Sequence, residues 1–181
     1  ALAAVLLLFG LRLGLAPHVR TVQTEPQSAF PRAVVGQPAP DVTLQFLDGG
    51  TFDLSSLRDE PVVLYFWATW CRTCADDLMR LNNLVSPSSD LRLVAINIME
   101  PVDTVSDFIL EHRFPQSILL DITGQAARRY DVRATPTYYF LDAEGTVTGR
   151  IIGPARPAAL EGHLRRIQPR SDEHQQAESR T

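Results

Sequence analysis

The sequence contains no lysine: all seventeen basic residues are arginine. That absence removes Schiff-base chemistry and lysine general bases from consideration. Only two cysteines are present, Cys71 and Cys74, three positions apart. A small secreted domain stapled by structural disulfides carries more of them, spread along the chain. Structural zinc asks for four ligands, and His18, His112, His163 and His174 are isolated from one another and from the cysteine pair. Positive charge is not in excess either. With twenty-one acids the formal net charge is −4, and there is no basic footprint for a phosphate backbone. Nucleic acid is not an expected partner, and neither a metal nor a cofactor is expected.

Residues 1–17, ALAAVLLLFGLRLGLAP, are apolar except for Arg12. Such a segment is a signal-peptide core or a short membrane anchor. It has no initiating Met and no basic start, so it reads as an incomplete N-terminus. Pro17 after Ala16 makes a poor cleavage site, which favours an uncleaved anchor; export follows in both cases. Residues 18–35 are polar and interrupted by two prolines, as in a tether between membrane and domain. Residues 36–168, with twelve Arg against seventeen Asp and Glu, form the domain. Residues 169–181 are polar, without an aromatic or aliphatic anchor, and are expected to be a disordered tail.

Strands and helices alternate through the domain. Val42 to Phe46 and Thr51 to Asp53 flank Leu47-Asp48-Gly49-Gly50, a hairpin signal. After Pro61 the run VVLYFWATW is continuously apolar, as in a strand buried on both faces. Leu91 to Ile98 reads the same way, and Pro115 to Leu120, Tyr138 to Leu141 and Val147 to Ile152 add strands. Helical spacing is found from the cysteines to Val85, over Val102 to His112, over Gln125 to Tyr130, and over Pro157 to Ile167. The alternation predicts an α/β fold: a central mixed β-sheet flanked by helices on both faces, preceded by the hairpin.

The chemistry lies in Trp70-Cys71-Arg72-Thr73-Cys74. A thiol attacks as thiolate, so a catalytic cysteine needs something that lowers its pKa. Cys71 falls where a buried strand gives way to a helix, and backbone N–H groups with the helix dipole favour a negative sulfur there. Cys74 can reach back to close a disulfide or resolve a mixed one, since i and i+3 share a helix face. Cys71 is therefore expected to be the more exposed, attacking thiol and Cys74 the resolving one.

These residues resemble the TlpA/ResA group of membrane-anchored thioredoxin-like proteins across residues 36–168. The resemblance is carried by Gly36-Gln37-Pro38-Ala39-Pro40-Asp41, by Phe66 to Cys74, by Val94-Ala95-Ile96-Asn97, by Tyr130 to Thr137 and by Leu141 to Gly145. It implies a thioredoxin-like fold in which residues 102–120 are an inserted helix and strand. It also implies that Pro136 is cis and lies beside the cysteines. Proline has no N–H to donate, so the backbone of Thr135 would be free to pair with an extended substrate peptide next to Trp70. Further implications are an extracytoplasmic location, apocytochrome c cysteines as substrates, a membrane-embedded thiol transporter as electron donor, and a reducing role.

The chain also departs from the patterns it resembles. Thioredoxin keeps a buried acid six residues before its first cysteine, where this chain has Tyr65. Asp77 occupies a place where the group often has an acid, and is either a proton relay for Cys74 or a complement to the helix dipole. Thr73 and Met79 stand where the group often has proline. Glu100 follows the second buried strand in a region where the group sometimes places another acid, but a solvated loop charge is the favoured reading. Arg72 favours a thiolate at Cys71 and hence an oxidant, whereas Asp76 and Asp77 favour a reductant. Two rivals compete with the oxidoreductase. A peroxidase of the peroxiredoxin type would need a PxxxTxxC pattern, but those places hold Leu64 and Ala68. A copper-binding chaperone would need His112 or His163 near the thiols.

Overall fold

The apolar runs become the middle of a seven-stranded sheet. A computed structural model describes residues 32–85, 90–114 and 118–168. The expected anchor, most of the tether and the tail beyond Gln168 lie outside the described residues. The strands are β1 (Thr43–Phe46), β2 (Thr51–Asp53), β3 (Val62–Trp67), β4 (Arg92–Ile98), β5 (Ile118–Asp121), β6 (Thr137–Leu141) and β7 (Val147–Ile152). The helices are α1 (Cys74–Leu84), α2 (Val102–His112), α3 (Gln125–Arg129) and α4 (Pro157–Ile167), with a 3-10 turn over Leu54–Leu57. The sheet order is β2-β1-β5-β4-β3-β6-β7. β3, β4 and β5 run parallel, and the other neighbours are antiparallel. This is the thioredoxin-like mixed sheet, with α2 and β5 as the inserted pair.

All six residues of β3 are buried because the sheet is covered on both faces. Alternation splits them between two cores. Val63, Tyr65 and Trp67 join Cys71, Cys74, Leu78 and Leu81 with Leu160 and Leu164 of α4. Val62, Leu64 and Phe66 join Leu44, Leu54, Ala126 and Tyr130 on the opposite face. Each fully buried leucine of this kind stabilises the fold by about 1.5–3 kcal/mol.

Most boundaries fall where the sequence places them, including those of β2, α2, β7 and α4. β5 is described from Ile118, and residues 115–117 of the expected strand lie outside the described residues. The hairpin does more than precede the sheet: β1 pairs antiparallel with β5, through Gln45 with Leu120 and Phe46 with Leu119. Among the described residues no helix is long and apolar enough to cross a membrane.

The topology defines one working edge. Because β3, β4 and β5 are parallel, the turns that leave them share an edge: Ala68–Thr73, Met99–Pro101 and Ile122–Gly124. β6 runs opposite to β3, with Phe66 facing Thr137, so the segment ending in Thr135–Pro136 arrives at that same edge. Strand carboxyl ends are where α/β sheets hold their ligands.

Candidate active site

Cys71 and Cys74 are joined as a disulfide with their Cα atoms 5.4 Å apart. The helix starts later than the sequence reading had it: α1 begins at Cys74, with Thr73 as its N-cap. Cys71 instead sits in the preceding turn. Its N–H donates to the Ala68 carbonyl (3.2 Å), and its own carbonyl accepts the Cys74 N–H (3.1 Å). The turn stops being strand because Ala68 and Cys71 close it by backbone bonds before the helix begins. Cys71 therefore still stands off the first turn of α1, where dipole and free N–H groups favour an anion. The two sulfurs differ in access: Cys71 keeps 8% of its surface and Cys74 none, while Trp70 beside them is 67% exposed.

Beneath Cys74 lies a buried polar network. Asp77, 6% exposed, accepts the Tyr138 hydroxyl (2.8 Å) at one oxygen and Arg80 (2.5 Å) at the other. Arg80 also donates to the Ala155 carbonyl (3.0 Å), which ties α1 to the segment before α4. Tyr65, standing where thioredoxin has its acid, donates to the Cys74 carbonyl (2.9 Å) and packs its ring 5.0 Å from that of Tyr138. Burial first, then the bond to Asp77, holds Tyr138 well above its ordinary titration range. Burial raises Tyr65 too, with Tyr138 and Asp77 adding to it. Both phenols stay protonated and act as donors. Asp77 is thus a paired, doubly bonded carboxylate, and it does not stand as a bare charge near sulfur.

Glu100 is not the solvated loop charge the sequence suggested. It is buried, and its carboxylate accepts the Thr69 N–H (2.7 Å), the Thr69 hydroxyl (2.5 Å) and the Asn97 amide (2.6 Å). Met99, in left-handed backbone (φ 54), turns the chain so that Glu100 faces the redox loop. Sequence reasoning passed over Thr69, Arg80, Asn97 and Tyr138. Arg80 was legible as the i+3 partner of Asp77, and Asn97 lies only three residues from Glu100; Thr69 and Tyr138 carry no local signal, because their partners come from distant segments of the chain.

The Thr135–Pro136 bond is cis. Pro136 is buried at the working edge, one residue before the ladder of β6, and its carbonyl accepts the Gly153 N–H (2.8 Å). The two histidines within the domain are taken up by ring stacking elsewhere. His112 stacks on Phe108 (4.0 Å) and His163 on Phe140 (4.5 Å). Among the described residues no group of three or more His, Cys, Asp or Glu could hold a metal ion.

A cysteine pair at this edge of a thioredoxin-like sheet can be set beside known proteins. Residues 35–150 match the AhpC/TSA family. The chain belongs to that family. Thiol-disulfide oxidoreductase ResA of Geobacillus kaustophilus is 32% identical over 137 residues, which are 75% of this chain and 79% of that protein. ResA of Bacillus subtilis is 28% identical over 136 residues, 74% of this chain and 76% of that protein. Among solved structures, a secreted disulfide oxidoreductase of Mycobacterium tuberculosis, described as homologous to E. coli DsbE, superposes with a TM-score of 0.61. It is 26% identical, and the match covers 69% of this chain and 95% of that one. The family member described here is a ResA-like thiol–disulfide oxidoreductase, with Cys71 and Cys74 as its close cysteine pair.

Proposed function

We propose that this protein reduces disulfides of extracytoplasmic polypeptides, apocytochrome c cysteines among them, from a membrane-anchored position. The observation that carries the assignment of roles is the asymmetry of the pair: Cys71 retains exposed surface beside Trp70, and Cys74 has none. The Cys71 thiolate attacks one sulfur of the substrate disulfide. A mixed disulfide forms and the first substrate thiolate leaves. Cys74 then gives up its proton and attacks the Cys71 sulfur, releasing the second substrate thiolate. The substrate gains two electrons and two protons, and the enzyme is left as the disulfide. A membrane-embedded thiol reductase would return the two electrons by the same exchange.

Thr135 and Pro136 supply the platform for the extended substrate and Trp70 its apolar border. Asp77 lies one helical turn from Cys74 and tunes it as one member of a pair with Arg80, whose opposite charge offsets its own. What supports a location outside the membrane is the apolar segment at residues 1–17, together with the relative described as secreted. The test is a glutathione redox titration combined with turnover of a peptide disulfide carrying a Cys-x-x-Cys-His segment. A potential near that of thioredoxin, about −270 mV, with turnover of the peptide, supports a reductant. A potential near about −120 mV, with oxidation of the dithiol peptide instead, overturns it.

A further inference from the structure

The edge of the sheet that carries the disulfide also carries a cleft of about 640 Å3, walled by Met99, Arg128, Arg129, Asp131, Val132 and Arg32. Both of its flanks lead to the redox site. Met99 is followed by Glu100, whose carboxylate holds the Thr69 turn. Val132 stands four residues before Pro136 on the segment that reaches the cysteine edge. The cleft lies outside the residues used for thiol exchange, and no step described above needs it.

Its chemistry is cationic over an apolar floor. Arg32 makes no hydrogen bond or ion pair with another described residue. Arg128 uses one N–H on the Thr123 carbonyl (2.9 Å) and has no carboxylate partner among the described residues. Arg129 donates to the Asp41 carbonyl. Asp131, the one acid of the wall, is committed to Arg133 (3.0 Å) and Arg150 (3.9 Å). Residues 36–168 carry twelve Arg against seventeen acids, so this wall reverses the sign of the domain around it. Met99 and Asp131 are both non-glycine residues at positive φ, 54° and 47°. Backbone of that kind collects at ligand clamps and switch regions.

We propose that this cleft is a substrate subsite, which takes the carboxylate of an acidic residue flanking the reactive cysteine of a polypeptide. The inference rests on the reading of the protein as a reductase of polypeptide disulfides. Guanidinium groups recognise carboxylates by paired N–H donors. Met99 and Val132 offer contact for the side-chain stem. An extended peptide lying along Thr135 would have its cysteine at Cys71 and a neighbouring residue over the cleft. The binding is made equally in ground and transition states, so it appears in KM more than in kcat.

The experiment compares two sets of peptide disulfides that differ only in a Glu or a Gln, moved in turn to positions on either side of the cysteine. Steady-state reduction is measured with the full chain at low ionic strength. At one or more positions the Glu peptide is expected to show a kcat/KM at least fivefold higher, mostly through KM, and the ratio falls as salt is added. Arg32→Gln and Arg128→Gln each lower that ratio, and together they bring it near one. Arg165→Gln, which removes the same charge from α4, leaves it in place. Arg32 makes no side-chain bond to another described residue, so the test survives if Arg128→Gln folds poorly. Equal kcat/KM for Glu and Gln peptides at every position overturns the proposal, as does a preference that persists in the Arg32→Gln variant and the double variant. If no peptide of either set is reduced, the reductase reading fails along with it.

Discussion

Glu100 and Thr69, thirty-one residues apart, are joined by two short hydrogen bonds, one to the Thr69 N–H and one to its hydroxyl. The carboxylate that makes them sits at the end of β4 and is steadied by the Asn97 amide. The turn into Cys71 is therefore held from the neighbouring strand as well as by its own backbone. A loop that must present one sulfur and bury the other gains from this second point of attachment.

Glu100→Ala is expected to leave the Thr69 N–H and the Asn97 amide without their partner. A buried donor left unsatisfied costs about 1–3 kcal/mol. Urea unfolding should show at least that loss, and reduction of a peptide disulfide should slow as the Cys71 turn loosens. Thr69→Val, which removes only the hydroxyl bond, should lose less. Unchanged stability and turnover in Glu100→Ala would mean that the carboxylate is incidental to the loop.

The asymmetry of exposure between Cys71 and Cys74 leads to a trapping experiment. Cys74→Ala should accumulate a mixed disulfide between Cys71 and substrate, because the resolving thiol is gone. Cys71→Ala should accumulate little, since a fully buried Cys74 cannot meet a polypeptide sulfur. Non-reducing electrophoresis followed by mass spectrometry reads the outcome. Comparable trapping by the two variants would reverse or dissolve the assignment of roles.

What was legible in the sequence, and what was not, follows the range of each interaction. The VVLYFW run, the spacing of Leu160, Leu164 and Ile167, and the hairpin around Gly49 are local patterns, and each became the expected element. The cysteine motif was legible for the same reason. The start of α1 was misread by three residues, because the turn closed by Ala68 and Cys71 carries no distinguishing residue type. Glu100 looked like a loop charge because its partner Thr69 lies on another strand's exit. Tyr138 was legible only as a strand residue because its hydroxyl meets Asp77 only after β6 is laid beside β3.

His163 makes stability depend on pH. Its ring stacks on Phe140 and lies so close to Gly149 that a Cβ there would be 2.4 Å from it. Burial first, and then Arg166, lowers its pKa in the folded protein. The unfolded chain therefore takes up the proton first as pH falls. Above about 6.5 the ring is neutral in both states and the packing is intact. Below that the unfolded state is favoured progressively until the folded ring also protonates. Urea unfolding at pH 7.5 and pH 5 should show a loss in the wild type that is smaller in His163→Gln. An equal loss in both proteins would place the dependence on the carboxylates.

The last prediction concerns the direction of electron flow. Asp77 by itself disfavours a second negative charge on Cys74, which raises that thiol and makes the potential more negative. Arg80 lies 2.5 Å from Asp77 and carries the opposite charge, so the two largely cancel as seen from the sulfur. Each member alone should therefore shift the potential, and in opposite senses. Asp77→Asn leaves Arg80 to stabilise the thiolate, favours the reduced form and makes the potential less negative. Arg80→Gln leaves Asp77 held by Tyr138 alone and makes it more negative. One pKa unit corresponds to about 1.4 kcal/mol, or ~30 mV for a two-electron couple, so shifts of that order are readily resolved. The double variant should return close to the wild-type value, because it removes a pair whose fields already offset one another. Glutathione titrations of the four proteins, paired with thiolate absorbance, make the measurement. If both single variants move the potential by less than ~10 mV, the Asp77–Arg80 pair is a structural tie between α1 and the Ala155 segment and has no hold on the redox couple.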